Sequence, residues 1–298
     1  MVMENGNKCM ENSIRTASHD AHKQALLTLL KEFDRVCKAL QIPYILFAGT
    51  MLGAVRHNGF IPWDDDLDVL MMRKDYERFL RDADSVLEKE KFYLQKPFST
   101  HWPMFFAKLR LHNTACLEKY HPRDPEIHQG IYMDIFPCDR AAESAFGRKL
   151  QFCASKVVIA KSLDRRGYET SSTAKKIFMK LCGILPMNPF LQFVQRGRED
   201  STYVHTFLAA ASGYGKNVYP AEWFAETEDL MFEDGSYPVT KTYDKLLKTI
   251  YGDYMTLPPP EERVVKQHAV LVDTENSYEI YRDYHKNLQF ETHTKSIR

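Results

Sequence analysis

No C-x-x-C pair occurs among the six cysteines, Cys9, Cys37, Cys116, Cys138, Cys153 and Cys182, which are scattered over the chain. That spacing argues against a zinc ribbon or finger. A chain this long builds a core without disulfides, so free thiols in a reducing, cytoplasmic setting are expected. Charge of one sign is not in excess either: 40 basic side chains face 40 acidic ones. A general nucleic-acid binder carries a basic surplus, so no nucleic-acid partner is expected. No apolar run reaches the roughly 20 residues of a membrane span. The nearest stretch, Ile177 to Val194, is broken by Lys180, Pro186, Asn188 and Pro189. It reads as a buried helix ending near Pro186, with peripheral membrane contact as the other reading. The opening residues MVMENGNKCMENSIR have no apolar h-region, so no secretory signal is expected. Walker A, H-E-x-x-H and G-x-S-x-G motifs are all missing.

What is present is ordinary globular composition, 44% hydrophobic and 27% charged over 298 residues. Residues 1–18 read as a loose leader. From Asp20 to Leu40 apolar residues recur at helical spacing, with Ser18 or Asp20 as the cap and Pro43 beyond the end. Tyr44 to Ala48, Leu67 to Met72, Phe92 to Gln95, Phe105 to Leu111 and Ile131 to Phe136 have strand character, and Lys74 to Lys89 is amphipathic. After Asp139 helical patterns take over, at 142–166 and 174–185. The expected fold is therefore α/β (α+β). A mixed-sheet core flanked by helices would span 19–140, and a mostly helical region, 141–298, would pack on it.

One segment demands chemistry. Asp64, Asp65, Asp66 and Asp68 fall within five positions, directly before an apolar run. Alternation along a strand puts Asp66 and Asp68 on one face, with Asp64 joining them and Asp65 not. Asp134, flanked by Met133 and Ile135, is a lone carboxylate in another apolar run. Converging hard oxygen ligands suit Mg²⁺ or Mn²⁺. A solvated turn or capping loop explains the aspartate run alone equally simply. An EF-hand is excluded, because Val69 stands where its glycine must be. Gly49 and Thr50, after a short apolar strand, form a turn that can approach a phosphate, and Arg56 and His57 follow closely.

The segment GTMLGAVRHNGFIPWDDDLDVLMMRKDYERF, from Gly49, resembles the signature of LicD-type phosphotransferases, which are related to the fukutin proteins. AKLRLHNT, GIYMDIFPCD and YDKLLKTIYGDYMTLPPPEER are similar to further blocks of that family. The likeness covers about residues 20 to 140 and 230 to 268. It implies a nucleotidyltransferase-like fold, with Gly49 and Thr50 in the turn after the first strand, Asp66 and Asp68 on the next, and Asp134 on a later one. It also implies transfer of phosphocholine, or a related phospho-alcohol, from CDP-choline or another CDP-alcohol to a sugar hydroxyl. The acceptor would be a surface glycan, lipopolysaccharide or teichoic acid, whether or not lipid-linked, and CMP would be released. Mg²⁺, with Mn²⁺ as substitute, would sit on Asp64, Asp66, Asp68 and Asp134, with Asp134 either a ligand or the acceptor of the proton. Substrate contacts are expected from Gly49, Thr50, Arg56, His57, Trp63, Lys108 and Arg110.

Blander roles stand beside these. Lys108 and Arg110 read equally as solvated strand charges, and His57 as a structural loop residue. Trp63, with Tyr132 or Phe136, could hold a choline ammonium by cation–π contact, or Phe136 could simply pack in the core. The tail PPPEERVVKQH carries Arg263, Lys266 and His268 but interposes two glutamates. The fukutin branch has a membrane anchor and this chain shows none, so a cytoplasmic protein is expected, at most at the inner membrane face. Two other readings are NMP transfer from an NTP and a catalytically silent glycan- or nucleotide-binding protein.

Overall fold

The computed structural model describes residues 16–118, 122–209, 213–265 and 269–282. Helix α1 (His19–Leu40) opens the fold. Ser18 accepts a hydrogen bond from the Ala21 amide, and Gln41 ends the helix in the left-handed conformation. Its apolar stripe, including Leu26, Leu29, Leu30, Phe33 and Val36, is fully buried and packs over β4 (Ala107–Leu111) and β6 (Tyr132–Arg140).

Strand β1 is only Ile45–Leu46. Helix α2 (Ala48–His57) begins at once, so Gly49 and Thr50 lie in its first turn. The expected strand to Ala48 is cut short because Ala48 turns into a left-handed conformation, φ 46°. The loop after α2 is held by the hairpin of β9 (Thr227–Phe232) and β10 (Gly235–Thr240): Glu233 accepts from the Phe60 amide at 2.9 Å. Strand β2 (Asp68–Met72) runs directly into α3 (Arg73–Asp82). That helix stops sooner than the amphipathic pattern predicts, passing into a 3₁₀ turn at Ala83–Ser85. Arg73 forks onto Asp139 at 2.6 and 2.9 Å, locking the end of β6 to the start of α3.

The main sheet is mixed, in the order β1-β2-β6-β4-β3, with β3 at Phe92–Gln95. Strands β2 and β6 are parallel; β1 on β2, β4 on β6 and β3 on β4 are antiparallel. Strand β6 outruns its expected end at Phe136. Its last residues pair with β7 (Tyr203–His205), which in turn pairs with β8 (Val218–Pro220). Strand β5 (Ala115–Glu118) pairs with β11 (Ala269–Asp273). The mixed α/β fold class is as expected.

Beyond Arg140 come α4 (Ala145–Arg166), α5 (Thr173–Ile184), α6 (Met187–Gln195) and α7 (Tyr243–Tyr251). This region also supplies strands, and one continuous apolar core runs from Ala25 to Val272. The expected helix break near Pro186 is present. The expectation that this segment is buried is not met. On α5 only Met179 and Cys182 are buried, whereas Ile177, Phe178, Leu181 and Ile184 face outward. The reason is that α4 covers one side of α5, and the other has no neighbour among the described residues.

Candidate active site

Strand register assembles the polar centre. Asp68 of β2 stands opposite Asp134 of β6, Asp134 opposite Lys108 of β4, and Lys108 opposite Gln95 of β3. Register partners share a face, so one polar row crosses four strands. Val69, Ile135, Met133 and Leu109 alternate onto the other face and are fully buried. Apolar anchoring on one face thus forces the carboxylates into alignment on the other.

Asp68 is buried, and its amide donates to Thr50 Oγ1 at 2.8 Å. This bond ties the first turn of α2 to the start of β2. Burial pushes the Asp68 carboxyl well above the ordinary range, and Asp66, Asp134 and Asp64 push it further. Asp64 lies against the same turn: a methyl group placed on Gly49 would come within 2.7 Å of Asp64 Oδ2. A helix N-terminus favours such a charge. Asp65 turns away; it is buried and faces His22, which burial brings down to about 4 against the opposing pull of Asp65.

Asp134 is raised by burial, against the pull of Lys108. Lys108 Nζ lies 2.9 Å from Asp134 Oδ1 and 3.7 Å from Glu118. It also sits 3.1 Å from the centroid of the Tyr132 ring. Burial works to raise Glu118, but Arg166, Lys108 and Arg110 outweigh it and bring the carboxyl down to about 2. Arg110 is buried too, donating to Gln95 Oε1 at 2.7 Å and to the Gly130 carbonyl at 2.8 Å. Lys108 and Arg110 are therefore interior cations, 3% and 2% exposed, and not solvated strand charges. The Tyr132 face is filled by Lys108, and Phe136 packs among Phe47 and Phe106.

Arg56, His57 and Trp63 gather at the far end of α2. The His57 and Trp63 rings are 6.0 Å apart, and the Arg263 guanidinium lies 5.9 Å from the Trp63 ring. Arg56 donates to the Tyr254 carbonyl at 2.5 Å. Burial, then the adjacent Arg56 and Lys23, lowers the His57 pKa. Lys266 and His268 of the same tail lie outside the described residues.

Tyr251 links the two groups. It ends α7, where Gly252 takes φ 75° and ψ −125°, a conformation open to glycine. Burial raises its hydroxyl, followed by the charges of Asp68, Asp64 and Asp66. The same hydroxyl acts on Arg56. Sequence reasoning passed over Tyr251, although YDKLLKTIYGDY contained it, because a tyrosine at helical spacing reads as packing. Glu118 and Arg166 gave no signal at all; only the fold brings a strand end and a helix end together.

Asp64 and Asp66 of one short segment, with Asp134 of β6, bear on the buried Asp68 carboxyl, and only Lys108 opposes them; carboxylate oxygens are the donor chemistry of a hard divalent cation. Among the described residues, no three Asp, Glu, His or Cys side chains stand so placed that they could hold a metal ion as they are.

Residues 41–140, which hold all of the candidate side chains except Arg263, Tyr251 and Arg166, match the family model LicD/FKTN/FKRP, nucleotidyltransferase domain. They form a LicD-family domain. Likeness to a LicD protein extends further. Over 266 residues, 82% of this chain and 93% of the relative, it is 29% identical to the lipopolysaccharide cholinephosphotransferase LicD of Haemophilus influenzae. Two uncharacterised Rickettsia proteins share shorter stretches. The one from Rickettsia typhi is 44% identical over 55 residues, 18% of each chain, and the one from Rickettsia prowazekii is 45% identical over 51 residues, 17% of this chain and 19% of its own. The matched segment ends with β6, so Tyr251, which reaches the carboxylates, and Arg263, which reaches Trp63, come from outside it.

Proposed function

We propose that the chain is a phosphotransferase. It moves phosphocholine, or a closely related phospho-alcohol, from a CDP-activated donor to a sugar hydroxyl of lipopolysaccharide or a comparable glycan, releasing CMP. The observation that carries this reading is the Asp68–Asp134 register pair, with Asp64 and Asp66 beside it, inside a LicD domain. The likeness to the Haemophilus influenzae cholinephosphotransferase over most of both chains supports the choice of group and acceptor.

Asp64, Asp66 and Asp68 would hold Mg²⁺, which would supply charge neutralisation for the diphosphate. The remaining chemistry belongs to side chains. Asp134, ion-paired with Lys108, takes the proton of the attacking sugar hydroxyl. A carboxyl raised by burial holds a proton more readily near neutral pH, which suits that task. As the new oxygen–phosphorus bond forms, the bond to CMP breaks. Arg56 and Arg263 lie where the departing phosphate needs a cation. Tyr251 donates a hydrogen bond to the reacting phosphate between them. Residues 19–140 thus form the catalytic core, and the tail of the 141–298 region completes it.

The test is donor choice. Melting with Mg²⁺ is compared across CDP-choline, CDP-ethanolamine, CDP-ribitol, CDP-glycerol, CMP, CTP and ATP. A ligand at about 100 times its dissociation constant adds roughly 2.7 kcal/mol to the native state. Greater stabilisation by one CDP-alcohol than by CMP, lost in Asp66→Asn, supports the reading. Stabilisation by an NTP alone would replace it with nucleotidyl transfer.

A further inference from the structure

We propose that the outer face of the α5–α6 corner docks on the surface of an anionic lipid bilayer. The two helices lie at 98° to each other. Both are fixed to α4, through buried Met179 and Cys182 on α5 and Val194 on α6. Buried Lys161 of α4 donates to the Gly183 carbonyl at 2.7 Å and to the Leu185 carbonyl, so the corner is preformed.

Away from α4, α5 shows an apolar stripe. Ile177, Leu181 and Ile184 follow at i, i+4 and i+7 and are 54%, 59% and 82% exposed, with Phe178 beside them. Leu185 and Phe193 continue it past the bend. In water this face costs free energy that nothing among the described residues recovers.

Charge decides what covers it. Between Glu169 and Glu199 the chain has no acidic residue, but it has Lys175, Lys176, Lys180, Arg196 and Arg198, of which Arg198 is paired with Asp200. That local excess stands out in a chain of 40 basic and 40 acidic groups. Lys176 and Lys180 are exposed and one turn apart, on the flank of the stripe. An apolar stripe edged by lysines is the pattern of a helix lying in a headgroup region, where the stripe enters the acyl boundary and the ammonium groups meet lipid phosphates. A protein partner would need its own acidic rim matched to this edge; an anionic bilayer presents one everywhere. Among the described residues no single helix is long and apolar enough to cross a membrane; the bent pair together has the length and composition, but both of its helices are packed on α4 through buried Met179, Cys182 and Val194. The corner therefore lies on the bilayer. This inference does not depend on the phosphotransfer reading.

The full chain is sedimented with vesicles of phosphatidylcholine alone and of phosphatidylcholine mixed with anionic phosphatidylglycerol, whose negative surface potential attracts basic side chains. Co-sedimentation with the anionic vesicles and weakening with salt are expected. Leu181→Asp/Ile184→Asp and Lys176→Glu/Lys180→Glu should each lower the apparent affinity at least about tenfold with an unchanged melting temperature, since all four side chains are exposed. Wild-type protein left in the supernatant with anionic vesicles would overturn the proposal. So would equal binding by the Leu181→Asp/Ile184→Asp variant, or light scattering that finds a dimer split by that variant without vesicle binding.

Discussion

Asp68 and Asp134 are register partners on adjacent parallel strands, β2 and β6. Two carboxylates set side by side repel, and here both are raised above the ordinary range. The chain meets half of this cost itself: Lys108 pairs with Asp134 at 2.9 Å. Asp68 is left with burial and the charges of Asp66, Asp134 and Asp64 against it.

That imbalance sets the direction of Asp68→Asn. A carboxyl whose folded pKa lies above its unfolded one stabilises the fold fully below the unfolded value, and loses that contribution as pH rises through the folded value. At neutral pH without divalent cation, the upward-shifted Asp68 therefore works against the fold. Asp68→Asn should melt higher than wild type there, and the gap should narrow toward the ordinary carboxylate range. Phosphotransfer by the variant should be abolished. Melting curves across pH, with and without Mg²⁺, check this; a variant that melts lower at neutral pH would show that Asp68 is compensated in another way.

Lys108→Met should act in the opposite sense. Lys108 is 3% exposed, and two carboxylates, Asp134 and Glu118, depend on it. Removing one partner of a buried pair leaves the others uncompensated and costs about 3–5 kcal/mol. Urea unfolding should show a loss of this size. A loss below about 1 kcal/mol, as for a surface pair, would contradict the buried network.

How much of this was legible beforehand follows from the range of the forces involved. The period-2 pattern around Asp68 and Asp134 reports a local preference, so it put these two carboxylates on strands and on one side; Asp66 was expected on the same strand but precedes it, because β2 begins only at Asp68. Helix α1 was legible for the same reason, in its stripe from Ala25 to Leu40. Lys108 and Arg110 were read as substrate contacts or solvated charges, because a lysine in a strand does not announce burial. Its box of Trp102, Phe106 and Tyr132 comes from two segments distant from one another in sequence, the turn at 102–106 and β6. Gly49 and Thr50 were expected in a turn and lie in a helix, since the left-handed Ala48 starts α2 early. Tyr251 was illegible because its neighbours, Asp68 of β2 and Asp64 and Asp66 just before it, are nearly two hundred positions away.

Tyr251→Phe tests that distant contribution. The residue is 43% exposed although its hydroxyl end is buried, and the substitution removes only the oxygen and keeps the ring, so the melting temperature should stay nearly unchanged. A hydrogen bond to a charged group contributes about 1.5–3 kcal/mol, so a bond made to the reacting phosphate predicts a fall in kcat of roughly ten- to a hundredfold. If KM for the donor rises and kcat holds, Tyr251 binds substrate and transition state alike. Unchanged kcat/KM would remove it from the site.

Gly49→Ala isolates Asp64. Alanine is the better helix former by up to about 1 kcal/mol, so on propensity alone the variant should not destabilise α2. The added methyl group would stand 2.7 Å from Asp64 Oδ2, closer than such atoms approach. Asp64 sits at the end of a half-buried side chain in a loop, and it can swing aside. The expected result is a melting temperature within a few degrees of wild type, together with a several-fold higher Mg²⁺ concentration for half-maximal activity. Titrating activity against Mg²⁺ at saturating donor separates the two effects. If the Mg²⁺ requirement is unchanged while Asp66→Asn shifts it, the cation rests on Asp66 and Asp68 without Asp64, and Asp64 serves only to face the start of α2.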